Sequence, residues 1–444
     1  MVQAYQVAPG GVVQGDIRVP GDKSISHRSI MLGALAEGDT HVSGFLEGAD
    51  AIATANIFRT MGVDIEGPKA GEVVVHGVGL HGLKAPGVPL DCGNSGTSMR
   101  LLTGLLAGQT FACMLVGDHS LSKRPMRRVI DPLTGMGAII ESQDGLPPLL
   151  VQAVDGLKGA DITMKVASAQ VKSALLLAGL YAEGETRVTE PAPTRDHTER
   201  MLSAFGVEVH REGATVSIKG GQTLKGTRVD VPADISSAAF FLVAASICPG
   251  SDLTLRHVGM NPTRIGVLHV LRAMGADITE SNHQVVGGEP VADLRVRSAP
   301  LQGIRIDPAW VPLAIDEFPV LFIAAACAEG VTTLSGAEEL RVKESDRIQV
   351  MADGLSAIGL PVEVLSDGMR IVGRGAEAMP FLGGRVHAHS DHRIAMSFAV
   401  AALRSKGSIL IEDTANVATS FPGFVELANS VGFRIEVKGQ ELGR

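Results

Sequence analysis

The sequence predicts an α/β protein of two domains, each made of three βαβαββ units, and three observations carry that prediction. The first is a repeat. A helix-like segment, an apolar residue, a glycine and a short β-like segment recur in that order at 58–65, 133–140, 202–209, 271–278, 355–362 and 428–435. The glycines are Gly62, Gly137, Gly206, Gly275, Gly359 and Gly432, spaced 69 to 84 residues apart, which marks a duplicated supersecondary unit. The second is an earlier helix pattern in each copy, at 24–36, 95–107, 168–182, 235–248, 316–328 and 391–403, with apolar residues three and four apart. The third is length: 444 residues exceed one ordinary core, and 45% hydrophobic with 20% charged residues describe a globular chain.

In most units the earlier helix is flanked by Ser, Asn or Asp suited to capping, and the repeated glycine suits the left-handed residue that ends the second helix. An alternating pair of β segments follows, clearest at 63–66 with 73–76 and at 276–279 with 293–296. Six units divide into two domains of three. The boundary is expected near Val231-Pro232-Ala233-Asp234, giving domains 21–233 and 1–20 plus 234–444. The first strand, about 11–19, goes with the C-terminal domain, so the chain crosses twice, and the active site is expected in the cleft between the domains.

A formal net charge of −9 argues against nucleic acid or an anionic membrane as main partner, so any basic cluster is local. Apolar runs such as 238–248 and 320–328 fall short of the ~20 residues of a membrane span. The N-terminal segment has no basic region followed by an apolar core, and a cytoplasmic protein is expected. Cys92, Cys113, Cys248 and Cys327 show no metal-ligand spacing, which fits free thiols in a reducing compartment.

Polar motifs fall at the expected helix starts, where unpaired N–H groups and the helix dipole favour anions. Gly21-Asp-Lys-Ser-Ile-Ser-His-Arg28 is either an anion site or a solvated, Ser-capped helix start; Asp22 before Lys23 excludes a nucleotide P-loop. Asp91-Cys-Gly-Asn-Ser-Gly-Thr97 offers Asn94 or Ser95 as cap and Gly96 for close ligand approach, or is a structural turn. Ser122-Lys-Arg-Pro-Met-Arg-Arg128 places four cations around an expected helix-starting Pro125, or is a solvated basic turn. Ser168-Ala-Gln-Val-Lys172 caps a helix with Gln170 in its first turn. In Thr194-Arg-Asp-His-Thr-Glu-Arg200, Arg195 faces a cleft or pairs locally. Asp316 precedes a strongly apolar helix and is either a poorly hydrated base or an N-cap. Arg341-Val-Lys-Glu-Ser-Asp-Arg347 is a ligand site or a salt-bridged surface, and Arg393 in Asp391-His-Arg-Ile-Ala-Met396 pairs or binds an anion. Recurrence of basic or hydroxyl helix starts in both halves of an acidic chain favours small, multiply anionic substrates.

Taken in order, Pro-Gly-Asp-Lys-Ser-Ile-Ser-His-Arg (20–28), Gly-Asn-Ser-Gly-Thr (93–97), Lys-Arg-Pro-Met (123–126), Ser-Ala-Gln-Val-Lys-Ser (168–173), Thr-Arg-Asp-His (194–197), Asp-Glu-Phe-Pro (316–319), 341–347 and 391–396 resemble the 5-enolpyruvylshikimate-3-phosphate synthase family across essentially the whole chain. The resemblance implies the inside-out α/β barrel of enolpyruvyl transferases. It also implies transfer of the enolpyruvyl group of phosphoenolpyruvate to the 5-hydroxyl of shikimate 3-phosphate, by addition and elimination, without metal or organic cofactor. A monomer is expected. Carried onto matching positions, Lys23, Ser24, Arg28, Ser168, Ala169, Gln170, Arg195, Asp316 and Lys343 are shikimate 3-phosphate contacts. Lys23, Asn94, Gly96, Arg124, Gln170, Arg347 and Arg393 are phosphoenolpyruvate contacts. Asp316 is the base for the 5-hydroxyl, and Glu344 and Lys23 are its proton-transfer partners. One departure is Ala418, which precedes Thr419-Ser420-Phe421-Pro422 where many relatives carry lysine. The rival readings are an enolpyruvyl transferase acting on UDP-N-acetylglucosamine, whose kind uses a loop cysteine for which only Cys92 has a polar context, and a non-catalytic anion-binding protein.

Overall fold

Every repeat contributes two helices to the computed structural model, which describes residues 2–440. The first repeat gives α1 (Lys23–Leu35) and α2 (Ala49–Thr60); the second gives α3 (Gly96–Ala107) and α4 (Arg127–Gly135); the third gives α5 (Ala169–Gly179) and α6 (His197–Ala204). The later three give α7 (Ile235–Ile247) with α8 (Gly266–Ala273), α9 (Phe318–Cys327) with α10 (Arg347–Ala357), and α11 (His392–Ala402) with α12 (Phe424–Ser430). All six repeat glycines have positive φ, from 86° at Gly206 to 118° at Gly432. Each second helix therefore ends in a left-handed residue that leads into the following strand.

The first helix of each repeat is the buried one. Every residue of α7 and α9 is buried, as befits helices apolar all round. Side chains of Asp22, Ser95, Ser168, Asp234 and Asp391 accept backbone N–H groups at the starts of α1, α3, α5, α7 and α11. These caps satisfy donors that the helix cannot. Asp22, rather than a serine, caps α1. In α9 the cap position falls to Glu317, one residue after Asp316, without a side-chain bond, and a proline occupies the first turn, where its missing N–H costs nothing. Pro125 does not start a helix. Arg124 before it is extended, as pre-proline residues are, and α4 begins two residues beyond at Arg127.

Two compact units result: Gly21–Val231 with Val285–Glu289, and Met1–Pro20 with Pro232–Gln284 and Pro290–Arg444. In the first unit, three sheets repeat one strand order. The second repeat shows it as 90–91, 113–116, 146–151, 140–143, with the first pair parallel and the others antiparallel. The third repeat follows it as 161–163, 185–189, 215–219, 209–212. In the first repeat the opening parallel strand comes from the far end of the unit: Leu224–Lys225 and Arg228–Asp230 pair with Ala36–Ser43. Among these helices, α3 lies so close to α5 that a Cβ on Gly104 would sit 2.0 Å from the Ala174 carbonyl oxygen.

In the second unit α7, α9 and α11 pack on one another inside the core. Full burial of side chains such as Phe318, Leu321 and Phe322 contributes roughly 1.5–3 kcal/mol each. Gln14–Ile17 pairs in parallel with Asp252–Gly259, so it opens the fourth repeat. Val2–Val7 lies antiparallel between Ile409–Glu412 and Ile435–Gln440 and so supplies the last strand of the sixth.

Candidate functional site

The predicted residues of the first unit gather at the N-termini of α1, α3 and α5. Lys23, the first residue of α1, is ion-paired with the buried Asp50. Arg28, one turn on and 4% exposed, donates from Nε to Thr198 Oγ1 (2.7 Å), from one terminal nitrogen to Ser173 Oγ (2.9 Å) and from the other to the Ser24 carbonyl (2.9 Å). Burial pulls its pKa down to about 10, against the raising influence of Asp22 and Glu199, while the Arg195 charge close by lowers it further.

At α3, Ser95 Oγ accepts from Ser98 N (3.0 Å). Asn94 donates to Asp118 (2.7 Å) and accepts from Arg124 (3.0 Å). Gln170, in the first turn of α5, accepts from Arg100 (2.6 Å) and donates to Thr97 Oγ1 (2.9 Å). A Cβ on Gly96 would meet Arg100 at 2.9 Å and Arg124 at 3.2 Å. Asn94, Gly96, Arg124 and Gln170 therefore share one cluster, and Arg100 stands in its middle. Sequence reasoning missed Arg100. Its signal was an arginine inside an apolar helix, four residues after Gly96 and hence on the same face. Ser168 accepts from Val171 N (3.3 Å), with Ala169 as the first helical residue beside it. Asp196 pairs with Arg200 (2.9 Å) in the same segment as Arg195.

Within the second unit the focus is Arg347, 1% exposed at the start of α10. Its guanidinium meets Asp391 (2.9 Å), Asp316 (3.1 Å) and Glu344 (2.7 Å). Burial opposes its charge, but Asp391, Glu344 and Asp316 overcome that and raise its pKa above the ordinary arginine value. Lys343 Nζ lies 3.4 Å from the same Asp316 oxygen, so two cations share it. Asp391 is fully buried and does three things at once: it caps α11 at Arg393 N (3.0 Å), accepts from Ser345 Oγ (3.0 Å) and holds Arg347. Arg393 lies 3.9 Å from Glu317, which also accepts from Ser236. Arg341 is the structural member of its motif, bonded to Asp346 (2.7 Å) and to the carbonyls of Ser366 and Leu365.

All four cysteines are free and buried. Burial raises the Cys92 thiol far above its ordinary range, which removes the one polar-context cysteine as an acid at neutral pH. Among the described residues no group of His, Cys, Asp and Glu is arranged to hold a metal ion, and no helix is long and apolar enough to cross a membrane.

The family model of EPSP synthase (3-phosphoshikimate 1-carboxyvinyltransferase) matches residues 7–427. A 3-phosphoshikimate 1-carboxyvinyltransferase of Alkalilimnicola ehrlichii is 68% identical over 441 residues, covering 99% of this chain and 98% of that protein. One from Halorhodospira halophila is 65% identical over 437 residues, covering 98% and 97%. Among solved structures, an EPSP synthase from Acinetobacter baumannii superposes with a TM-score of 0.90 at 57% identity, covering 99% of this chain and all of that one.

Proposed function

This chain belongs to the EPSP synthase family, and on that premise we propose that it transfers the enolpyruvyl group of phosphoenolpyruvate to the 5-hydroxyl of shikimate 3-phosphate. Each substrate carries a phosphate and a carboxylate, so the reaction needs several fixed cations and bidentate donors. In this reading Lys23, Ser24, Arg28, Ser168, Ala169, Gln170, Arg195, Asp316 and Lys343 bind shikimate 3-phosphate. Lys23, Asn94, Gly96, Arg124, Gln170, Arg347 and Arg393 bind phosphoenolpyruvate. Asp316 accepts the 5-hydroxyl proton as that oxygen forms a bond to C2 of phosphoenolpyruvate, and Glu344 and Lys23 move the proton that C3 gains. The tetrahedral intermediate then loses the C3 proton and inorganic phosphate, which restores the double bond.

The observation that carries the assignment is the Asp316 oxygen shared by Lys343 (3.4 Å) and Arg347 (3.1 Å), with Glu344 on the same guanidinium. In this reading a base, a proton carrier and two anion-binding cations belong to one ion-pair network, which supports the assignment. Phosphate release from phosphoenolpyruvate is the test. Release is expected with shikimate 3-phosphate as acceptor and not with UDP-N-acetylglucosamine; the opposite preference would overturn the reading. We further propose a cytoplasmic monomer, which light scattering on the eluting protein checks for mass.

A further inference from the structure

Lys172 has no place among the substrate contacts, yet it is a lysine with 0% exposure. A lone ammonium in such a place is very costly, and this one is paired twice. Its Nζ lies 3.1 Å from Glu190 Oε2 and 2.7 Å from Glu199 Oε1. Glu190 has further partners in Thr194, through its other oxygen, and Arg211, 3.8 Å away. Lys172 is the cation ion-paired with Glu199.

Arg28 sits immediately beside this pair. Two of its three acceptors, Ser173 Oγ and Thr198 Oγ1, belong to the residues next to Lys172 and Glu199 in sequence, and the third is the Ser24 carbonyl. All three are neutral. Glu199 is close enough for its charge to act on Arg28, but its carboxylate is ion-paired with Lys172. A buried arginine bonded to neutral groups keeps its charge for a ligand, whereas one paired with a carboxylate must first give that partner up.

We infer that Lys172 is a positioning residue for substrate binding: by holding Glu199, it leaves the Arg28 guanidinium hydrogen-bonded to neutral acceptors and available to an anionic group of the substrate. The inference rests on the reading of Arg28 as a shikimate 3-phosphate contact. Replacing Lys172 with methionine removes the ammonium, keeps most of the apolar stem and releases Glu199 toward the cations whose charge it already feels, the buried Arg28 and the part-exposed Arg200. Glu199→Gln in the same chain removes the competing charge again.

The experiment is steady-state kinetics on Lys172→Met, Glu199→Gln, the double variant and Arg28→Ala, with folding checked by circular dichroism. Lys172→Met is expected to raise KM for shikimate 3-phosphate about tenfold, the scale of one charged hydrogen bond, while KM for phosphoenolpyruvate and kcat move less than about twofold. The double variant is expected to return KM close to the original, which restored packing alone cannot explain because no packing is restored. Equal changes in both KM values, or no recovery in the double variant, overturn the inference. If Lys172→Met does not fold, Glu199→Gln alone decides: KM near the original supports the inference, and a tenfold rise overturns it. An Arg28→Ala variant with unchanged KM would overturn the Arg28 assignment and this inference with it. A raised KM there with an unaffected Lys172→Met variant overturns this inference alone.

Discussion

At the residue scale the decisive feature is how carboxylates and cations are apportioned. Arg347 gathers Asp316, Glu344 and Asp391, and Asp391 is fixed in turn by its capping bond and by Ser345. The apolar run after Asp316 announces a poorly hydrated carboxylate, but nothing near it in sequence announces that Lys343 and Arg347 both lie against one of its oxygens. Asp316→Ala is expected to lower kcat by about 10²–10⁴, the range for loss of a positioned general base. The KM values should change only a fewfold, because the cations that hold the anions remain. Stopped assays with saturating substrates check this, and a variant with undiminished kcat would leave Asp316 as a structural ion-pair partner. The motifs were legible because their residues stand close together in the chain. Arg100, Asp50 as partner of Lys23, and Asp391 as partner of Arg347 were not, because each acts on a residue 27 or more positions away or from inside an apolar helix.

At the element scale, the second helix of every repeat ends at a positive-φ glycine, and the first helix of every repeat but the fifth (α9) starts at a side-chain cap. Both signals depend on a few neighbouring residues, so the sequence displays them openly. How closely two helices pack is a different kind of fact. Gly104 is one glycine among 53 in sequence, yet in the fold it lets α3 touch the backbone of α5. Gly104→Val is expected to destabilise the protein by about 3 kcal/mol or more, because backbone cannot yield as a flexible side chain can. Chemical denaturation measures it. By contrast, the Cβ of Gly96→Ala would meet the tips of Arg100 and Arg124, which can move.

At the scale of the whole molecule, loss of stability in acid has an identifiable source in a buried histidine. His27 has 0% exposure, bonds Thr54 Oγ1 (2.8 Å) and lies near Ser98 (3.3 Å). Burial, then the charges of Lys23 and Arg28, hold its pKa well below 6.5. The unfolded chain therefore takes up this proton first. The contribution to stability is present above about pH 6.5 and is lost as pH falls, by at most ~1.4 kcal/mol per pH unit from this group. His27→Asn should flatten that fall in a series of melting temperatures between pH 7 and 5; an unchanged slope would show that other groups govern it. The sequence by itself determined the six-fold repeat, the paired helices, the left-handed glycines and the motif residues at helix starts, since each depends on the order of a few neighbours. Only the tertiary structure decided which strand completes each sheet. Val2–Val7 closes the sixth repeat, Gln14–Ile17 opens the fourth, and 224–230 opens the first, pairings that join residues up to 438 positions apart. Such pairings are set by which edge remains open once the helices have buried their apolar faces, a condition of the folded chain that no local run of residues encodes.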